Sequence, residues 1–386
     1  MNAVATVTTL ELQRIFSLRP AFSVLVLAIV IYSVFYPQPY RGETLRDVPI
    51  AVVDLDGTDS SRQFARRLDA SSDVMVTAVL PDFAAGERAV QTREVYGILV
   101  LPRHFERDLL HGRSSPVAFY ADASYFLIYS RMTGAVTTLA KTMGAEIETR
   151  RLVSAGVDPA LSAAASDPMP LIAIALFNPQ GGYATYILPA ALVLLLQQTL
   201  LIGVGLLGTM EDERSRALAK RAGPLSRVSG KLLAYFIVET PVFAFYLVAL
   251  PYLYGIPRLG SITAIAAISI PFVAAVAGLG MIVARVLRNP VTVQLVFAGI
   301  GMPFLFLSGF SWPAEAIPEP LGLIALAVPS TTAINAIIEV AQLGASVADV
   351  ADQLLVLAAL AVVYLGLAWG LERGLNRVGS MERPIT

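Results

Sequence analysis

The chain has 386 residues, of which 56% are hydrophobic and 15% are charged, and its formal net charge is −1. A soluble domain carries about 25% charged residues, so this composition favours an integral membrane protein, and the net charge predicts no basic surface for nucleic acid. The sequence has no cysteine and two histidines, which excludes disulfides, thiolate chemistry and an all-histidine zinc site.

The first predicted elements are an interfacial helix and a membrane anchor, which together occupy residues 1–37. Between residues 9 and 18, apolar side chains are interleaved with Glu11, Gln13 and Arg14. This pattern is typical of an amphipathic helix at the cytoplasmic membrane surface, and the alternative is a simple extension of the anchor. The apolar run 20–37 that follows is long enough to cross a bilayer core. No small-x-small cleavage signature comes after it, so we expect an uncleaved anchor.

Residues 38–182 have ordinary charge and alternate strand-like with helix-like patterns. We predict strands over 50–55, 74–80, 96–101 and 117–120, helices between them, and a long helix over 124–155. This segment is therefore predicted to be an extracytoplasmic α/β domain, inserted between the first two transmembrane helices.

One string at the end of the first strand matches a catalytic motif. Asp54-Leu-Asp56-Gly-Thr has the order found in haloacid-dehalogenase-type phosphatases, in which the first Asp attacks phosphorus and both help to hold Mg²⁺. Those enzymes also need a downstream basic residue and a further acidic pair, and the one lysine of this domain, Lys141, lies within the long predicted helix. The alternative is a strand end and a turn that caps the next helix. We favour the turn and expect neither a catalytic nor a metal site.

The C-terminal part, residues 183–386, is predicted to be a helical bundle. Apolar runs of membrane-spanning length cover 183–209, 232–254, 261–284, 292–310 and 353–371. With the anchor they make a bundle of six transmembrane helices. A further apolar run, Pro320–Ile338, is interrupted by Pro329, and for it we predict a re-entrant hairpin on the outer side.

The distribution of arginine and lysine predicts the orientation. These residues are frequent in the N-terminal tail, in the segment 210–231, at the end of the fourth span and in the C-terminal tail, whereas the opposite short loops carry only Arg258. Positively charged loops stay in the cytoplasm, so both termini are predicted to be cytoplasmic and residues 38–182 extracytoplasmic.

Several short motifs follow one another along the chain in a characteristic order. They are Ile50-Ala-Val-Val-Asp-Leu-Asp56, Pro102-Arg-His-Phe-Glu-Arg107, Phe177-Asn-Pro179, the break Ser308-Gly-Phe310 with Trp312-Pro313, and Pro329-Ser-Thr-Thr332. Their order resembles the permease subunits of the ABC-2 type transporter family, in the branch with a large periplasmic domain after the first span. The resemblance covers essentially the whole chain. It implies a multi-pass export permease of the bacterial inner membrane that pairs with a second copy or a sister permease. A separate cytoplasmic ABC ATPase drives such permeases, and a periplasmic adaptor protein is a further partner that the family suggests.

The largest inner loop, residues 210–231, is the predicted coupling loop. In the resembled family this loop holds a helix that docks on the ATPase, and the candidate contacts here are Glu211, Glu213, Arg214, Arg216, Lys220 and Arg221. The alternative is that the arginines only set the topology. No Gly-x-x-x-x-Gly-Lys-[Ser/Thr] string occurs in the sequence. We therefore expect ATP to bind the partner subunit, and this chain to be no enzyme and to hold no cofactor.

Among the polar side chains within the predicted spans, four are candidate functional residues: Gln197, Gln198, Glu239 and Gln294. Polar groups inside a membrane are costly and often functional, which predicts positions on the export path or at the dimer interface. The alternative is interhelical hydrogen bonding that holds the bundle together.

The apolar and aromatic spans suit a lipophilic, drug-like or lipid-linked substrate. Two other classes of function stay open. One is a membrane receptor or sensor whose extracytoplasmic domain binds a ligand. The other is an ion-coupled secondary transporter, a class that often shows internal repeats, although no convincing repeat relates the spans here.

Overall fold

The computed structural model describes residues 3–381, apart from the side chains of Arg214, Ala219, Lys220 and residues 375–381. The chain divides into two compact units. The membrane unit comprises Met1–Glu43 and Ala175–Thr386, and the α/β unit comprises Thr44–Ile174. The predicted domain limits, residues 38 and 182, lie a few residues outside the limits of the α/β unit.

The principal helices and strands of the described chain are as follows. The helices are α1 (Ala3–Ser17), α2 (Arg19–Tyr40), α3 (Asp59–Asp69), α4 (Phe83–Gln91), α5 (Phe105–Leu110), α6 (Phe126–Ser154), α7 (Pro159–Ser166), α8 (Tyr183–Thr209), α9 (Glu213–Ala222), α10 (Pro224–Leu253), α11 (Ile262–Leu287), α12 (Pro290–Leu307), α13 (Glu319–Leu326), α14 (Pro329–Ala341) and α15 (Ala351–Met381). The strands are β1 (Val48–Asp54), β2 (Val74–Val79), β3 (Gly97–Leu101) and β4 (Ala118–Ala121).

Six helices of the described chain, namely α2, α8, α10, α11, α12 and α15, are long and apolar enough to cross a membrane. The protein is thus a helical membrane protein with six candidate spans. The helices α13 and α14 would make a seventh if taken together, but the pair is bent by 84° at the break between them. Pro329 begins α14 at this break, since a proline is tolerated in the first turn of a helix. The re-entrant arrangement of this pair stays a prediction.

The third span begins earlier than its sequence suggests. The apolar run predicts a span over 232–254, which leaves Arg227 and Lys231 in the preceding loop. The helix α10 instead begins at Pro224, and both cations are buried in its first turns. Gly223, with a φ of 80°, separates α9 from α10. This left-handed conformation is readily available to glycine, so the predicted coupling loop consists of one short helix and the start of the third span.

The helix α8 is the centre of the membrane unit and packs against α11, α12 and α14. It is apolar on all sides, as a buried helix must be. Its glycines permit close contact with its neighbours. A Cβ atom on Gly203 would lie 2.4 Å from Leu25 of α2, and one on Gly205 would lie 2.5 Å from Val293 of α12. By contrast, only 11% of the apolar window of α12 and 17% of that of α15 are buried. Most of their surface is therefore left for lipid or another chain.

The α/β unit contains a four-stranded sheet with the strand order β2-β1-β3-β4. β1 is parallel to β2 and to β3, whereas β4 is antiparallel to β3. Parallel strands need crossover connections, which α3 provides from β1 to its neighbour β2 and α4 provides from β2 past β1 to β3. Ile50, Val52 and Leu99 are buried and pack with Phe64 of α3 and Met132 of α6. The core of this unit thus lies between the sheet and these two helices.

Candidate functional site

Charged side chains from five parts of the membrane unit meet at one end of its helical bundle. We call this group the ion cluster. Its members are Glu11, Arg14, Glu211, Arg227, Lys231, Arg285 and Glu372. They come from α1, from the segment between α8 and α9, and from α10, α11 and α15. Helices that are far apart in sequence are therefore joined at this end of the bundle.

Glu211 is the centre of the ion cluster and is only 4% exposed. One carboxylate oxygen, Oε2, lies 2.5 Å from Nη2 of Arg227 and 3.7 Å from Nη2 of Arg285. The other, Oε1, lies 3.3 Å from Nζ of Lys231. This single side chain thereby pairs with cations of both α10 and α11.

Glu372 connects the last span to the same cations. Its Oε2 atom lies 2.9 Å from Nη1 of Arg227, and its Oε1 atom accepts a 2.9 Å hydrogen bond from Nε of Arg285. Arg285 also donates from Nη2 to the same Oε1 atom. Because Arg227 and Arg285 each contact both Glu211 and Glu372, the two carboxylates share one pair of guanidinium groups.

The helix α1 joins this end of the bundle through buried polar contacts of its own. Nη1 of Arg14 lies 2.7 Å from Oε2 of Glu11, and Nη2 donates to the carbonyl of Leu207 at the end of α8. The Tyr235 hydroxyl of α10 donates to Oε1 of Glu11 over 2.6 Å. The amphipathic helix predicted for residues 9–18 is therefore part of a longer helix, in which Glu11 and Arg14 are buried against α8 and α10 while Gln13 is exposed.

The surroundings of Glu211 keep its carboxylate ionised. Burial raises the pKa of this side chain, but Lys231, Arg227, Arg285 and Arg14 together lower it further, so its pKa lies below the ordinary value. Four cations face three carboxylates in the described ion cluster. The excess positive charge explains why the negative charge on Glu211 is favoured in spite of burial.

The helix α9 lies at the surface of the membrane unit and contacts α1 and α10. The backbone N–H of Ser215 donates to the carboxylate of Asp212, which satisfies a free donor in the first turn. The guanidinium of Arg216 donates from Nε and Nη2 to the carbonyl of Glu211, at 3.0 and 2.6 Å. The position of α9 is therefore tied to the residue at the centre of the ion cluster.

The predicted coupling residues do not all share one environment. Glu213, Arg216 and Arg221 are exposed. Glu211 is buried, so its carboxylate serves the ion cluster instead of offering a surface contact. The side chains of Arg214 and Lys220 lie outside the described residues.

The predicted intramembrane residues are also placed differently from one another. Gln197 is fully buried, and its Oε1 accepts a 2.7 Å hydrogen bond from the backbone N–H of Ser330 in α14. The amide of Gln198 has no hydrogen-bond partner within the described chain and lies beside Gly301 of α12. Gln294 is exposed on α12. Glu239 is 1% exposed, and its carboxylate lines a cavity between α10 and α11.

The carboxylates of the phosphatase-like string are engaged in the turn after β1. Oδ1 of Asp54 accepts from the backbone N–H groups of Asp56 and Gly57, and Oδ2 accepts from the Ser61 hydroxyl. Asp56 accepts from the Thr58 hydroxyl and from a backbone N–H of α5. The hydroxyl of Thr58 also caps α3. These contacts are those of a strand end and a helix cap, which supports the turn interpretation.

Sequence reasoning did not foresee the ion cluster. From local pattern alone, Arg227, Lys231 and Arg285 indicate only the topology, Arg14 also indicates an amphipathic helix, and Glu372 is not singled out. A usable signal existed, because Glu11, Glu211 and Glu372 are acids within otherwise arginine-rich ends of the spans. An acid at such a position indicates an ion pair as well as an orientation.

Comparison with known proteins agrees with this architecture. A family model described as ABC-2 family transporter protein matches residues 21–369. The chain belongs to this family. The linearmycin resistance permease protein LnrN of Bacillus subtilis is 23% identical over 372 residues, which cover 91% of this chain and 94% of that protein. The probable multidrug ABC transporter permease YbhS of Escherichia coli K12 is 22% identical over 197 residues, or 50% of this chain and 52% of that protein.

Family membership identifies the chain as a permease, which is the transmembrane subunit of an ABC transporter. Permeases of this kind typically leave ATP hydrolysis to a separate subunit. An ATPase partner and assembly with another permease are thus implied.

Proposed function

We propose that this chain is the permease of an ATP-driven exporter that moves a lipophilic, drug-like or lipid-linked substrate outward across the bacterial inner membrane. Both termini and α9 then face the cytoplasm, and the α/β unit lies in the periplasm. A periplasmic adaptor protein is a further partner within this proposal. The two relatives are named for linearmycin resistance and for multidrug transport, and these names support a drug-like substrate.

The observation that carries this proposal is the attachment of α9. Its residues Glu213, Arg216 and Arg221 are exposed and available to a partner, while Arg216 also holds the backbone of Glu211. The side chain of Glu211 pairs with cations of α10 and α11, and these pair in turn with Glu372 of α15. Displacement of α9 by an ATPase would therefore act on three spans at once. The helix α1 braces the same end of the bundle.

The second permease is proposed to cover α12. This helix is largely unburied within the chain and presents Gln294 together with Leu295 and Met302. A polar side chain facing lipid is unfavourable, whereas in a helix–helix interface it can find a hydrogen-bond partner. Gln198, beside the same helix, is proposed to lie along the path between the two permeases.

The decisive experiment reverses two neighbouring charges on α9 by combining Glu213→Lys with Arg214→Glu. The full chain is co-expressed and purified with its ATPase, and substrate-stimulated ATP hydrolysis is measured in reconstituted vesicles. We expect the ATPase to copurify poorly with the variant and its stimulation to be lost, because the contact charges have the wrong sign. The net charge of the chain is unchanged, so its solubility and insertion are preserved.

A matched control exists in the α/β unit. Glu87 and Arg88 of α4 are consecutive exposed residues with the same order of charges. Their reversal should leave binding of the ATPase and stimulation of ATP hydrolysis intact. Undiminished binding and stimulation with reversed Glu213 and Arg214 would disprove the assignment of these two residues. The same result after replacement of residues 213–222 by a Gly/Ser linker would disprove the coupling mechanism itself.

A further inference from the structure

The carboxylate of Glu239 lies in the middle of a membrane span without a partner. Glu239 is the 16th residue of the 30-residue helix α10 and is 1% exposed. Neither of its carboxylate oxygens has a hydrogen-bond partner within the described chain. A buried, ionised carboxylate with no compensating partner is among the most costly groups a protein can hold, so this position calls for a ligand or a proton.

A cavity of about 350 Å³ adjoins this carboxylate between α10 and α11. Its wall is mostly apolar and includes Phe236, Phe243, Ile265 and Val273. Known small-molecule sites have volumes of about 300–1,000 Å³ and combine an apolar lining with a few polar groups. The cavity therefore has the size and the surface of a site for a small organic molecule.

The cavity opens on the outside of the helical bundle. Thr240 and Ala266, on facing helices, are exposed at its edge. A ligand can thus enter sideways from the bilayer and needs no water-filled channel.

The backbone of α10 is irregular beside the cavity. Pro241 has no N–H group, so the carbonyl of Ile237 loses its usual intrahelical donor. Residues Phe245–Ala249 form a π-helical turn, and such turns are frequent at functional sites. The hydroxyls of Thr240 and Ser269 donate to carbonyls of their own helices, and their oxygens can still accept a hydrogen bond from a ligand.

The ionisable residues around the cavity determine which charge a ligand should carry. Among the described residues that line the cavity, Glu239 is the single ionisable side chain, and none is contributed by α11. Lys231, on the same helix, lies eight residues away and pairs with Glu211. A metal ion would require several more oxygen ligands than this cavity supplies. A carboxyl group without a partner in an apolar space of this volume therefore fits an organic cation, whose charge would compensate the ionised form.

We propose that this cavity binds a lipophilic amine, with the ammonium group against Glu239 and the apolar body against Phe236 and Phe243. The site lies about 12 Å along α10 from Lys231, at 1.5 Å per residue, and so near the membrane centre. Lipid headgroups remain at the interface, and a membrane-soluble amine is the ligand source that this depth favours. The claim that the amine is a transported substrate rests on the proposed export function. The claim that the amine binds in this cavity does not.

The test compares two fluorescent probes that differ in charge. The full chain is placed in phosphatidylcholine nanodiscs and titrated with dansylcadaverine, which carries a primary ammonium, or with N-pentyl dansylamide, its neutral analogue. Dansyl emission reports binding in an apolar site. In Glu239→Gln we expect affinity for the cationic probe to fall by about tenfold or more and affinity for the neutral probe to stay the same. Glu239→Asp should retain part of the preference for the cation.

Two further variants separate the site from general effects. Ala266→Phe fills the opening without altering the carboxylate and should weaken binding of both probes. Glu339→Gln alters another partly buried carboxylate of the bundle, one that already accepts from Gln353, and should affect neither probe. The amide in Glu239→Gln is similar in shape to a carboxyl group, and an unchanged Tm will show that the variant is folded.

Each other outcome overturns the proposal in a recognisable way. If both probes bind equally well to the wild type and to Glu239→Gln, the carboxylate is a neutral acid that only packs. If Ala266→Phe changes neither affinity, the probes bind elsewhere. If phosphatidylethanolamine in the nanodiscs displaces dansylcadaverine, the ligand is a lipid headgroup. The assay needs no ATPase, so a failure of probe binding would not contradict the export proposal. Probe binding without export would contradict the export proposal alone.

Discussion

The carboxylate of Glu211 forms ion pairs with Arg227, Lys231 and Arg285 while being almost completely buried. An isolated buried ion pair is weak evidence for stability, because desolvation offsets much of the attraction. Removal of one partner is different, since it leaves the opposite charges buried and uncompensated. The ion cluster already has one excess cation among its described members. It is therefore especially sensitive to the loss of a carboxylate.

We predict that Glu211→Gln lowers the free energy of unfolding by about 3 kcal/mol or more, because Arg227 and Lys231 lose their buried counter-charge. The measurement is unfolding of the purified chain in mixed micelles. Glu213→Gln makes the same substitution at an exposed glutamate two residues away. It should alter the free energy of unfolding by less than about 0.5 kcal/mol. Equal effects of the two substitutions would contradict a structural role for Glu211.

The lowered pKa of Glu211 predicts how this stabilisation depends on pH. In the unfolded chain the carboxyl has its ordinary pKa of 4.5, and in the folded chain its pKa is lower. The stabilisation is thus fully present above pH 4.5 and is lost as the pH falls through the folded pKa. We expect the Tm difference between wild type and Glu211→Gln to be constant near neutrality and to shrink only below that value. A difference that grows on acidification would show that the pKa is raised instead.

At the scale of elements, α1 is held against α10 by close packing and by a hydrogen bond. The Thr8 hydroxyl donates to the carbonyl of Gly230 over 3.0 Å. A Cβ atom on Gly230 would lie 2.7 Å from Cβ of Val7 and 2.9 Å from the carbonyl oxygen of Val4. The contact between these helices therefore depends on the absence of a side chain at this position.

We predict that Gly230→Leu separates α1 from α10 and destabilises the chain by about 1–3 kcal/mol through overpacking. Arg14 should then become accessible to trypsin, although it is only 6% exposed in the native structure. Gly366→Leu is the matched control, because a Cβ at this helical glycine of α15 would meet no atom within 4 Å. Continued protection of Arg14 in Gly230→Leu would show that α1 is held by other contacts.

At the scale of the whole molecule, the proposed orientation can be tested by labelling. The sequence contains no cysteine, so single cysteines report their own accessibility. With an impermeant thiol reagent on spheroplasts, we predict labelling of Arg113→Cys in the α/β unit and none of Glu213→Cys in α9 until the membrane is permeabilised. Both positions are exposed in their own units, so burial does not prevent the reaction. The reverse pattern would invert the topology and remove the basis for cytoplasmic coupling.

The parts of the fold that depend on local pattern could be predicted from the sequence. Membrane spans follow from the length of apolar runs, and the predicted 183–209 coincides with α8. The strands at Val48–Asp54 and Gly97–Leu101 lie within a few residues of their predictions, since both are short β-branched runs beside turns. Errors occur where charged residues are buried, as at the start of α10. There tertiary pairing compensates for a charge that local hydropathy counts as unfavourable.

The candidate site was less predictable, because its members meet only in three dimensions. Glu372 lies 161 residues from Glu211, and no spacing rule connects them. Glu239 is the exception, since one acid inside an apolar helix stands out in any hydropathy profile. Its cavity, by contrast, depends on how α10 and α11 pack and has no signature in either helix alone.

The composition of the ion cluster also has a consequence for how the chain is made. Ribosomal synthesis delivers Arg14 first, Arg227 and Arg285 later, and Glu372 near the end. Until the last helix has inserted, Arg227 and Arg285 have Glu211 as their one shared counter-ion in the cluster. A nascent or truncated chain that ends before Glu372 therefore has four cations and two carboxylates in the described cluster, an excess of two positive charges instead of one. The last span to be synthesised therefore neutralises part of the charge that the earlier spans leave uncompensated.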